Sequence, residues 1–102
     1  RLVKAARDSG HPIIGDAPEV LVICPPPLAD LSNSPFKGIF IGAEEKSHQL
    51  PSVLKTFCEE NDIRLFNAGD VVQTSPVDGV HWEPGEHQKL GHAVAAEVRN
   101  ML

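Results

Sequence analysis

An aspartate and a histidine stand three residues apart in the run Ser75-Pro76-Val77-Asp78-Gly79-Val80-His81-Trp82. An imidazole works as a general base when an acceptor fixes one ring nitrogen and leaves the other free to take a proton. An aspartate three residues upstream in a tight loop can reach the near nitrogen. Gly79, between the two, gives the backbone the freedom to make that bend. The far nitrogen could then accept the proton of a serine hydroxyl, and such base catalysis is worth ~10²–10⁴-fold. The same residues have a plainer reading, in which Asp78 is a turn residue that hydrogen-bonds the backbone ahead of it. D-x-x-H occurs often by chance, so the spacing alone does not separate the two.

Other residue types capable of chemistry are less well arranged. His81, His87 and His92 invite a zinc reading, but a helical ligand pair favours i, i+4 spacing. His87 and His92 are five apart, which turns them away from a common face, so they read as solvated helix residues. His11 and His48 fall at loop or helix-start positions with nothing convergent. Cys24 ends an apolar run without a basic neighbour, a poor setting for a nucleophilic thiolate. Cys58 lies on an apolar helical face. Two cysteines make no disulfide framework, and buried free thiols in a reducing compartment are the expected state.

The elements that must position Asp78 and His81 follow from the apolar pattern. "RLVKAARDSG" reads as the end of a helix capped by Gly10. The chain opening on such a stretch suggests a piece of a longer polypeptide. Residues 10–18 form a turn-rich linker with two Gly and two Pro. "EVLVIC", residues 19–24, is a β-branched run that reads as a strand buried on both faces, stopped by Pro25, Pro26 and Pro27. Residues 28–43 lack a period and read as an irregular excursion over the surface. Leu50, Val53, Leu54, Phe57 and Cys58 mark one helical face. Pro51 requires that this helix start there or that an earlier segment kink at it. Ile63, Leu65 and Phe66 suggest a second strand, with Asn67 and Gly69 as turn residues. Leu90, Val94, Val98, Met101 and Leu102 give a last helical stripe, with Pro84 in its first turn. This alternation predicts an α/β fold in three layers, a parallel sheet with helices on its faces and right-handed crossovers. Two strands are not a stable sheet by themselves, so further strands are expected from elsewhere. The Asp78–His81 loop follows the second strand, at the sheet edge where α/β folds carry their sites.

The 102 residues leave room for one domain. With 41% hydrophobic residues the chain is neither disordered nor membrane-embedded by composition. A net charge of −5 with scattered Lys and Arg disfavours nucleic acid and anionic membranes as partners. No apolar run approaches a bilayer span. A cytoplasmic location is expected, unless an N-terminal signal has been removed.

The context of the D-x-x-H adds more than its spacing does. "DGVHW" is followed by a Pro–Gly helix start and "LGHAVAAEV". This resembles the last block of the SGNH (GDSL-like) hydrolases, which hold their catalytic Asp and His as D-x-x-H just before the C-terminal helix. "VLVICPPPL", "FKGIFIG" and "FNAGDVV…DGVHW" are similar to segments of the bacterial arylesterase/acyltransferase branch. The resemblance covers nearly all of this chain, but only the C-terminal portion of that flavodoxin-like domain. It implies that Asp78 is the orienting carboxylate and His81 the general base, and that Val80 lies near the acyl group. The nucleophilic Ser, in a G-D-S block, and the Gly and Asn of the oxyanion hole would lie in an N-terminal segment absent here. Ser9 in "RDSG" lacks the preceding Gly and ends a helix instead of beginning one. Asn33, Asn61, Asn67 and Asn100 lie outside the family's motif. Pro51 departs from the uninterrupted helix of similar sequences.

Trp82 either walls the substrate pocket or caps the last helix hydrophobically. Ile39, Phe40 and Ile41 form either pocket lining, with Phe40 a substrate-binding candidate, or a subunit contact, since related arylesterases form homo-oligomers. The expectation is a serine esterase for small acyl or aryl esters, with acyl transfer to alcohols, no cofactor and no metal. This chain would supply two of three triad residues and be inactive alone. The competing expectation is a non-catalytic α/β module that binds a ligand or partner, or a proteolytic remnant.

Overall fold

The computed structural model describes residues 1–10, 15 and 17–102. His11 and most of the 10–18 linker lie outside the described residues. The elements run α1 (Leu2–Arg7), β1 (Leu21–Cys24), α2 (Ala43–Glu60), β2 (Arg64–Asn67) and α3 (Pro84–Met101), with a 3₁₀ turn at Ala68–Asp70. β1 and β2 pair in parallel, with Leu21 opposite Arg64 and Cys24 opposite Asn67. A parallel pair needs a crossover, and the segment 28–42 with α2 provides it. The α/β architecture expected from the alternating pattern is the one observed.

The sheet edge is where burial concentrates. Among the described residues Cys24, Leu31, Cys58, Ile63, Ala68 and Val72 form the buried apolar core, and Cys24 and Cys58 are free thiols. β1 is not buried on both faces as its composition suggests, because Ile23 is 42% exposed. Among the described residues, two strands and the helices that touch them do not cover both sides of the sheet. The helical stripes are likewise only partly covered. Val53, Phe57 and Val98 remain exposed, and α3 has no fully buried residue.

Pro51 neither starts α2 nor confines it. The helix runs continuously from Ala43 to Glu60 with Pro51 inside. It begins earlier than a Pro-initiated helix would, after Gly42 at φ +78° and with Glu44 and Glu45 in a first turn whose dipole favours acids. Pro51 has no N–H, so the carbonyl of Ser47 lacks its helical donor. The end of α2 is a Schellman turn. Asp62 takes the left-handed conformation at φ +53°. The amide of the buried Ile63 donates to the Cys58 carbonyl at 2.8 Å. The Arg7 guanidinium donates to the carbonyls of Asn61 and Asp62 at 3.0 and 2.6 Å, tying α1 to this turn. Gly10 does not cap α1, which already ends at Asp8 with ordinary right-handed backbone angles.

The turn after α2 delivers the chain directly into β2, and β2 ends at Asn67. The Asn67 side chain accepts from the Gly69 amide at 3.1 Å and so starts the 3₁₀ turn. α3 opens with Pro84 in its first turn, where a missing N–H costs nothing. It is tied back by Arg64–Glu97 at 3.0 Å and by the Gln73 amide on Glu86 at 3.2 Å.

Candidate active site

The loop between the 3₁₀ turn and α3 is closed by one buried serine. The Ser75 amide donates to the His81 carbonyl at 2.6 Å, and its carbonyl accepts from the Gly79 amide at 2.7 Å. Its hydroxyl accepts from the Val77 amide at 3.1 Å and donates to Glu83 Oε1 at 2.5 Å. Backbone groups without regular partners are thereby satisfied inside the loop.

Asp78 works with both carboxylate oxygens. Oδ1 accepts from the amides of Val80 and His81 at 2.8 and 2.9 Å. Oδ2 meets His81 Nδ1 at 2.7 Å. The turn reading and the imidazole-orienting reading are therefore not exclusive in geometry, because each oxygen serves one of them. An ionised carboxylate only accepts, so Nδ1 is the donor in this contact and Nε2 is left as the ring's second nitrogen. The Val80 amide first, then the His81 ring and the His81 amide, hold the Asp78 carboxyl below its ordinary range. Oriented donors stabilise the charged form in this way.

Gly79 is required here. Its φ is +74°, and an added Cβ would stand 2.7 Å from Leu31 Cδ2. Leu31 belongs to the 28–42 segment, which grips the loop from outside. The Ala29 amide donates to the Gly79 carbonyl at 3.0 Å, and Ser34 Oγ donates to the Asp78 carbonyl at 2.5 Å. Phe36 lays its ring 5.6 Å from that of His81, centroid to centroid, tilted by 57°. The imidazole is otherwise open, with 70% of the side chain exposed against 20% for Asp78.

Beside the imidazole lies a shallow hollow of about 310 Å³ lined by Val80, His81, Trp82 and His87. Trp82 rests against the His87 ring at 5.1 Å, so it both borders the hollow and packs on the first turn of α3. His87, read from sequence as a solvated helix residue, borders it as well. Phe40 does not line this hollow. It borders a separate depression with Asp30, Leu31 and Lys37, and reaches the imidazole only through Phe36, whose ring it meets edge-on at 5.9 Å. Ile39 and Ile41 point into solvent, 74% and 84% exposed. Burial raises the Cys24 thiol, the opposite of what a nucleophile needs. Ser9 lies just past the end of α1, its hydroxyl donating to the Ala6 carbonyl at 2.6 Å. Among the described residues no three of His, Cys, Asp and Glu converge.

Ser34, Phe36, Ser75 and Glu83 were not found from sequence. Ser34 and Phe36 approach the loop across more than forty residues of chain, which no local spacing encodes. The Ser-Pro pairs at 34–35 and 75–76 are turn signals but do not say what the hydroxyls hold.

Neither a protein-family model nor a curated protein matches the chain. Solved structures do. The chain is similar to the M. smegmatis aryl esterase, with 36% identity and a TM-score of 0.89 over 99% of this chain. It is similar to a carbohydrate acetylesterase from Sinorhizobium meliloti, with 37% identity and a TM-score of 0.82 over 95% of this chain. A carbohydrate acetylesterase family member from the same organism gives 34% and 0.87 over 99%. The match takes up 48%, 44% and 48% of those chains, so this chain spans about half the length of the proteins it resembles.

Proposed function

For a chain that belongs to the SGNH (GDSL-like) hydrolase superfamily, beside bacterial aryl and carbohydrate acetylesterases, we propose that it supplies the Asp and His of a Ser-His-Asp triad in a serine esterase. The observation that carries the proposal is the 2.7 Å contact between Asp78 Oδ2 and His81 Nδ1, beside an open hollow. It leaves Nε2 facing outward, where a serine hydroxyl can be deprotonated.

The serine and the oxyanion donors come from a segment outside these 102 residues. That serine Oγ attacks the carbonyl carbon of a small acyl or aryl ester while His81 Nε2 takes its proton. Asp78 holds the Nδ1 proton and stabilises the imidazolium without itself being protonated. The proton then passes to the leaving alkoxide and an acyl-enzyme remains. Water, or an alcohol in acyl transfer, then attacks the acyl carbon as Nε2 takes its proton, and Nε2 returns that proton to the serine Oγ as the acyl product leaves. Val80 and Trp82 wall the substrate site, with Phe40 behind Phe36. No cofactor enters this scheme. A homo-oligomer in the cytoplasm is the expected setting, with Ile39 and Ile41 at a subunit contact.

The test is hydrolysis of p-nitrophenyl acetate by the complete protein, with and without a serine-reactive phosphonate. Activity abolished by the phosphonate is the expected result. Phosphonate-resistant turnover would sink the proposal.

A further inference from the structure

We propose that Ser34 is a positioning residue for His81, its single hydroxyl tying together the two groups that flank the imidazole. The inference rests on the Asp78–His81 reading above. One neighbour of the ring is the Asp78 carboxylate, at 2.7 Å from Nδ1; the other is the tilted ring of Phe36. Ser34 Oγ donates to the Asp78 carbonyl at 2.5 Å and accepts from the Phe36 amide at 3.1 Å. One oxygen therefore sets the backbone of both neighbours.

Ser34 is itself held. Its amide donates to the Leu31 carbonyl at 3.0 Å and its carbonyl accepts from the Lys37 amide at 3.2 Å. The adjoining peptide is held from the other side by the Ala29–Gly79 bond, with Leu31 packed where a side chain on Gly79 would be. The arrangement matters because the ring is 70% exposed. Solvent offers no resistance to a swing about χ1, so among the described residues the Asp78 carboxylate and the Phe36 ring are what hold the imidazole's direction. A base displaced by ~1 Å from its proton loses up to ~10²-fold in rate.

The experiment compares Ser34→Thr with Ser34→Val in the complete esterase, using His81→Ala as a control. Thr and Val share a shape and differ in the hydroxyl. The expected result is a kcat about tenfold lower for Ser34→Val than for Ser34→Thr, at matched KM and matched melting temperature. The low-field Nδ1 proton resonance of His81 is expected to remain in Ser34→Thr and to broaden by exchange in Ser34→Val. Equal kcat in the two variants, with His81→Ala inactive, overturns the positioning role and leaves the dyad reading intact. A fall in kcat that only follows a fall in melting temperature, with the proton resonance retained, assigns Ser34 to stability and also overturns it. Full turnover in His81→Ala removes the dyad reading and this inference with it.

Discussion

The loop 75–83 and the segment 28–42 both lack regular structure, yet they are ordered by opposite means. The loop closes on itself. Ser75 and Asp78 satisfy the amides of Val77, Val80 and His81 within a few residues, and Ser75 takes the Gly79 amide on its carbonyl. The segment is a succession of short turns, Ser34 on Leu31, Lys37 on Ser34, Ile39 on Phe36 and Ala43 on Phe40, with Ile39 and Ile41 in solvent. A loop that spends its own side chains on its own backbone holds a geometry wherever the chain carries it. A string of turns holds one only where something else fastens it, here at Ala29, Leu31 and Ser34. The loop carries the Asp78–His81 pair, and the segment grips it from outside.

The comparison breaks most sharply at Asp78. Asp78→Asn removes the acceptor that fixes the imidazole and leaves a near-isosteric amide, and esterase turnover in the complete protein is expected to fall ~10²–10⁴-fold. Steady-state kinetics of the purified variant check this. A fall below about threefold would mean that the carboxylate serves only the turn.

Gly79→Ala tests where the two regions touch. The substitution forces a side chain into positive φ and against Leu31, and is expected to cost ~1–3 kcal/mol of stability. Thermal or denaturant unfolding measures it. Trimming Leu31 to Ala in the same chain should relieve the clash but not the backbone strain, so the two changes should not add.

Acid probes the loop's self-sufficiency. The Asp78 carboxyl is held below its ordinary 3.8 by donors that exist only in the folded loop. Its folded value lies below its unfolded one. The stabilisation is thus fully present above the ordinary carboxylate range and is lost as pH falls through the lower, folded value. A carbon-13 titration of the Asp78 carboxyl should give a midpoint below 3.8. A midpoint at or above it would contradict the bonding described.

The smallest effect is expected in the exposed part of the segment. Ile39→Ser or Ile41→Ser should change the unfolding free energy of this chain by less than about 0.5 kcal/mol, since neither side chain is buried within it. A larger loss in melts of the isolated chain would show that the segment is fastened at its apolar tip as well.

The same contrast explains what was legible in the sequence. Strand, helix and α/β alternation could be read because β-branched runs and the 3.6-residue period are local. Asp78 with His81 could be read because a turn and an acid–imidazole pair need only three residues. What stayed hidden depends on distant packing. α2 continues past Pro51 because its start is set at Gly42, with acids in the first turn, and one lost hydrogen bond does not outweigh a helix so placed. Ile23 and Phe57, apolar in pattern, are open because cover depends on what packs on them. The hand of Asp62, in a site where glycine is usual, and the grip of Ser34 and Phe36 on the loop have no local spacing to announce them.

The central claim is that His81 is the base of an ester-cleaving serine. It is tested most directly by p-nitrophenyl acetate turnover of the complete protein with and without His81→Ala. The expected result is a loss of at least ~10²-fold in kcat/KM with the fold intact. Turnover unchanged by the substitution would contradict it.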